Sequence, residues 1–162
     1  MRLWSILWVT ALLCSAGASS ADRHRRMAVI VHPKNPVSNL SLSELRELFL
    51  KVRARWSDGK PVLPINHSPR SELRKRFDRM VLRMSPEEAA SFWIRQRVRG
   101  LGHPPRSFRS TRLILRLVSK QREAVAYLPW SEIQYSREIK VLRIEGRLPA
   151  HPNYALLERV AR

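Results

Sequence analysis

The chain has 162 residues, of which 31 are Lys or Arg and 13 are Asp or Glu, for a net charge of +18. That charge sets a positive potential over the surface and favours anionic partners. A single cysteine excludes an internal disulfide and a thiolate metal cluster, so stability must come from an ordinary apolar core.

Residues 1–21 read as an export signal. Arg2 opens it, residues 3–13 (LWSILWVTALL) are apolar apart from Ser5 and Thr10, and small residues follow. As a helix, residues 3–14 would reach about 18 Å, well short of a hydrocarbon core about 30 Å thick. Cleavage after Ala18 (A-G-A) or Ala21 (S-S-A) is therefore expected, rather than retention as an anchor. Cys14 follows Leu13, where a lipoprotein signal needs a small residue. The domain is expected over residues 22–162, periplasmic or secreted, with no transmembrane segment once the signal is cut. Arg2 is the only charged residue removed, so +18 becomes +17. Export argues against nucleic acid as the anionic partner. It leaves phosphate-rich envelope surfaces and small oxyanions, or an arginine-rich composition that merely solvates the surface.

Residues 22–26 (DRHRR) read as a frayed basic leader, and residues 27–32 (MAVIVH) as a short buried strand ended by Pro33 and Pro36. Ser41 to Glu44 has the form of a capping box. It opens a helix with apolar residues at Leu42, Leu45, Leu48 and Phe49. A turn at Ser57-Asp58-Gly59-Lys60 leads to a strand at residues 62–65, where Pro64 suggests an edge or a bulge. Residues 70–84 form the clearest helical pattern, with Leu73, Phe77, Met80, Val81 and Met84 on one stripe. Ser85-Pro86-Glu87-Glu88 starts another helix, burying Ala89, Phe92 and Trp93. Residues 100–106 form a proline-stiffened loop, and Ser110 caps a helix using Leu113, Ile114, Leu117 and Val118. Residues 124–128 and 139–144 read as strands, and a terminal helix is expected around Tyr154, Leu157 and Val160. The alternation of strands and helices predicts an α/β fold, a mixed sheet flanked by helices.

A reactive constellation is missing from the pattern. The histidines (His24, His32, His67, His103, His151) are scattered, with no pair four apart. No nucleophile elbow or phosphate-cradling P-loop occurs, and Asp22, Asp58 and Asp78 each lack a neighbouring carboxylate. The expectation is a non-enzymatic protein with no catalytic residues, no metal and no cofactor. Trp56 and Trp93 read as core or as stacking platforms for bases or sugars, with core favoured, Tyr127 reads as core, and Trp130 as exposed. The basic run at residues 95–99, with Arg106 and Arg109, reads as a solvated face.

Three stretches carry a resemblance. Residues 41–62 (SLSELRELFLKVRARWSDGKPV), with Leu40 before them, resemble the segment LS-x-x-x-L-x-x-IF-x-G-x-x-x-x-W-x-D-G of phosphate-transporter substrate-binding proteins, in the type II periplasmic binding protein superfamily. Residues 123–128 (EAVAYL) are similar to that family's GAIGYV strand, and residues 65–77 (INHSPRSELRKRF) to its anion loop, VHRSDGSGTxxxF. The resemblance covers about 90 residues in the family's order. It implies a fold like one lobe of such a receptor, with an oxyanion held by backbone N–H groups at a helix start and by hydroxyls and an arginine. On this sequence that assigns Ser68 and Ser71 as ligand groups, with His67 and Arg70 beside them and Arg70, Arg74 and Lys75 adding positive charge nearby; the alternative is that Ser68 and Ser71 only cap the helix. His67 stands at the family's arginine, Pro69 at its aspartate, and Glu72 and Leu73 at the glycine and threonine. The Glu72 carboxylate is placed where it would compete with an anion for the same amides.

The resemblance implies an exported solute-binding protein for inorganic phosphate or a similar oxyanion, held weakly by a single open lobe. Such a protein would serve phosphate uptake or sensing and meet an ABC permease or an envelope protein. The alternative is an envelope interaction module whose basic surface binds a protein partner or an anionic polymer.

Overall fold

The structure, a computed structural model, describes residues 26–158; the expected export signal and Val160 lie outside the described residues. Five strands form the main sheet in the order β4-β3-β5-β1-β6: β1 Met27–Val31, β3 Leu63–His67, β4 Arg106–Phe108, β5 Ala124–Pro129 and β6 Lys140–Val141. The sheet is mixed. β3 runs parallel to β4 and β5, while β1 runs antiparallel to β5 and β6. Two short strands, β2 Asn39–Leu40 and β7 Arg143–Ile144, pair beside it.

Each face of the sheet carries its own core. β1 reads MAVIV without polar interruption because both its sides are covered, and all five residues are fully buried. Met27, Val29, Val31, Val125 and Tyr127 pack under α1 (Leu42–Phe49) and α2 (Glu72–Phe77). Ala28, Ile30, Ala126 and Leu128 pack under α4 (Thr111–Lys120) and α5 (Trp130–Ile133), where Ile114 and Val118 lie fully buried. Those two side chains contribute roughly 1.5–3 kcal/mol each by leaving water. Phe77 stacks on Tyr127 at 3.8 Å and 3°, and Phe49 tilts against Phe77 at 4.6 Å. Trp56 is core, as the pattern implied, its Nε1–H donating to the Glu123 carbonyl at 3.0 Å.

The helix starts are made by serines. Ser41 and Glu44 cap reciprocally, as do Ser85 and Glu88 at the start of α3 (Pro86–Val98), and Ser110 caps α4. α1 ends on a Schellman motif: Val52 N–H donates to the Glu47 carbonyl and Lys51 N–H to that of Leu48. Lys51 sits there at φ 59°, at the position where the receptor motif has glycine.

Several expectations need correction. The helix expected over residues 70–84 is α2 followed by a π turn, Asp78–Leu82, which ends at Arg83 with φ 55°. A π turn takes in an extra residue, so Leu82, outside the expected stripe, is buried with Val81, while Met80 and Met84 are only partly buried. Pro64 lies inside the sheet, not at an edge. Leu63 N–H bonds toward β5, so the missing N–H of Pro64 faces the side where β4 pairs only from Ile65 onward. The strand expected at residues 139–144 splits: β6 pairs β1, Leu142 N–H bonds to Val29, and β7 turns away to β2. Over the described residues the expected terminal helix is a series of turns, with Tyr154 and Leu156 buried. Pro152 disfavours helix at His151, and Met27 N–H bonds to the Leu156 carbonyl, tying the segment beside β1. Arg26 is not frayed. It is buried, with its Nη1 donating to the Pro149 and His151 carbonyls.

Candidate functional site

β3 and β4 end side by side, and the chain turns from β3 into α2 through Ser68-Pro69-Arg70-Ser71. Ser68 N–H donates to the Phe108 carbonyl at 3.0 Å, and Ser71 N–H to the Ser68 carbonyl at 2.9 Å. The loop is thereby fixed against the end of β4. Ser71 is the N-cap of α2, its Oγ accepting from Arg74 N–H at 3.2 Å. Its hydroxyl proton stays available, since a hydroxyl both accepts and donates. The N–H groups of Glu72 and Leu73 open the first turn and bond to no acceptor among the described residues.

The remaining assigned residues sit differently. Arg70 is exposed on the loop. His67 is buried at 4% exposure at the end of β3, and desolvation pushes its imidazole down to about 4. It is neutral at ordinary pH and does not replace a charged arginine. One ring nitrogen bonds to the Tyr127 backbone, and Nε2 has no partner among the described residues. Glu72 does not occupy the helix start as its position suggested. Its carboxylate turns outward to Lys75 Nζ at 2.7 Å and is 75% exposed, leaving the first-turn amides uncovered by it.

Sequence reasoning passed over one pair beside this loop. Arg74 and Asp78, one helical turn apart, are 7% and 3% exposed, and Arg74 Nε lies 2.7 and 2.8 Å from the two carboxylate oxygens. Burial pushes the Asp78 carboxyl upward, only partly offset by Arg74. The i, i+4 spacing was visible, but on a strongly basic helix it resembles any solvated pair. The burial comes from tertiary packing, which the local spacing does not reveal. Trp93, on α3, is also buried. Elsewhere, Arg112, Arg116 and Lys120 recur at four-residue steps on α4 and line an open groove with Glu138. Among the described residues no group of three His, Cys, Asp or Glu could hold a metal ion, and no helix is long and apolar enough to cross a membrane.

A mixed sheet with helices on both faces presents a strand-to-helix loop at the carboxyl ends of its parallel strands, the place where open α/β sheets bind ligands. No protein-family model matches the chain, and comparison with curated proteins found no match. Solved structures do match. An ABC-type phosphate transport receptor from Vibrio cholerae superposes with a TM-score of 0.62 at 17% identity, over 76% of this chain and 48% of that one. A protein assigned as a phosphate ABC transporter substrate-binding protein from Clostridium perfringens, solved with bound phosphate, gives 0.61 at 19% identity, over 76% and 46%. PstS from Borrelia burgdorferi gives 0.61 at 12%, over 76% and 49%. The likeness is one of fold, and the chain spans about half the length of the structures it matches.

Proposed function

We propose that this is a non-enzymatic, exported solute-binding protein that holds phosphate or a related oxyanion weakly at the β3–α2 loop. The observation that carries the reading is the fold shared with half of several phosphate receptors, one of them solved with phosphate. The loop supports it: Ser68, Ser71 and the unbonded amides of Glu72 and Leu73 offer donors, and Arg70 adds charge at the surface. His67 lies beneath the loop as a neutral support rather than a cation. A site open to water on one side gains less from each charge than an enclosed one, so affinity is low. In this reading residues 1–21 are the export signal, the domain is residues 22–162 in the periplasm or medium, and an ABC permease or envelope protein is its partner. Calorimetry with phosphate and sulfate tests it. Heat and a raised melting temperature at millimolar ligand are expected, and neither effect at tens of millimolar would end the proposal.

A second reading rests on the α4 groove. Arg112, Arg116 and Lys120 gather part of the charge on one face, a surface suited to an anionic polymer of the envelope. Co-sedimentation with anionic vesicles that fades as salt is raised supports it. Salt-insensitive association, or none, counts against it.

A further inference from the structure

Beside the loop, a cavity of about 280 Å³ opens between the α2–π segment, α3 and the Pro104-Pro105 turn. We propose that it is a second binding site, taking a small organic carboxylate with a compact apolar body. The inference does not depend on phosphate binding at the loop.

The polar end of the site is Arg74. Asp78 uses both oxygens on the Nε edge of the guanidinium, no described residue accepts from the Nη groups, and Arg74 lines the cavity. Asp78 thus fixes the plane of the arginine and leaves its outer donors for a guest. A planar fork of this kind matches a carboxylate. Burying such a pair gains little stability over apolar side chains of equal size, and charged groups held at a cavity wall are a mark of binding sites. The charge balance also selects an anion. Arg97 is the other ionisable group lining the cavity, so two cations face one carboxylate that is already paired.

The apolar end is Trp93 and Ala89, both buried, with Pro105 beside them and Ile94 at the rim, 54% exposed. A bare tetrahedral oxyanion would leave these walls facing water. The volume falls just below the roughly 300 Å³ at which pockets for drug-sized ligands begin, which fits a guest the size of benzoate.

Ligand-observed NMR and calorimetry on the full chain, with benzoate and its neutral isostere benzamide, test the site. Benzoate binds, and benzamide binds at least about tenfold more weakly, because it forfeits a charged hydrogen bond. Ala90→Phe fills the mouth and Ile94→Glu sets a like charge at an exposed rim position. Each abolishes benzoate binding while the melting transition is kept, and inorganic phosphate does not displace benzoate. No binding at 10-millimolar scale, equal affinity for benzamide, unchanged binding in Ile94→Glu, or competition by phosphate would each overturn the proposal. Loss of phosphate binding at the loop would leave it standing.

Discussion

His67 shows how one side chain's surroundings decide its role. At the end of β3 it loses its water, and the charged imidazolium loses far more by that than the neutral ring does. Its folded value near 4 lies below the ordinary 6.5. The stability this represents is fully present above pH 6.5 and is lost as pH falls toward 4, because the unfolded chain takes up the proton first. Asp78 works in the opposite direction, since its raised carboxyl favours the folded state in acid. The expected outcome is a melting temperature that drops between pH 6.5 and 4, with the drop visibly smaller in His67→Asn. An equal drop in the variant would assign the acid sensitivity elsewhere. His67 was legible as a loop-position residue, but its burial depends on Tyr127, 60 residues away and 5.7 Å from its ring, which no local pattern reveals.

Among the elements, those that organise themselves locally were the ones readable in advance. The capping serines at 41, 85 and 110, the alternation-free β1 and the apolar face of α4 each depend on residues within one turn or one strand. β4 was missed because three exposed or half-buried residues, Arg106–Phe108, become a strand only by pairing with β3. The π turn was missed because Phe77, Val81 and Met84 also fit an ordinary helix. The end of α1 offers a direct test. Lys51 occupies a left-handed position that costs an L-residue roughly 1–2 kcal/mol, while glycine adopts it freely. Lys51→Gly is expected to raise stability by about 1 kcal/mol in denaturant unfolding, with phosphate binding unchanged. A loss of stability would mean that the lysine side chain makes contacts outweighing its backbone strain.

At the scale of the whole molecule, one mixed sheet carries a core on each face, and the chain spans about half of each structure it matches. The order of strands and helices and three motif segments made that fold legible. The chemistry of the loop was less so, because departures such as Glu72 can be judged only once its carboxylate is seen paired with Lys75. Phosphate binding as proposed requires the β3–α2 loop to offer bare amides to an anion. Amide-resolved NMR during a phosphate titration addresses that claim at its own atoms. The predicted result is saturable shifts that begin at Glu72 and Leu73 and extend to Ser68 and Ser71. Shifts confined to the arginines of α4, or none at tens of millimolar phosphate, would contradict it.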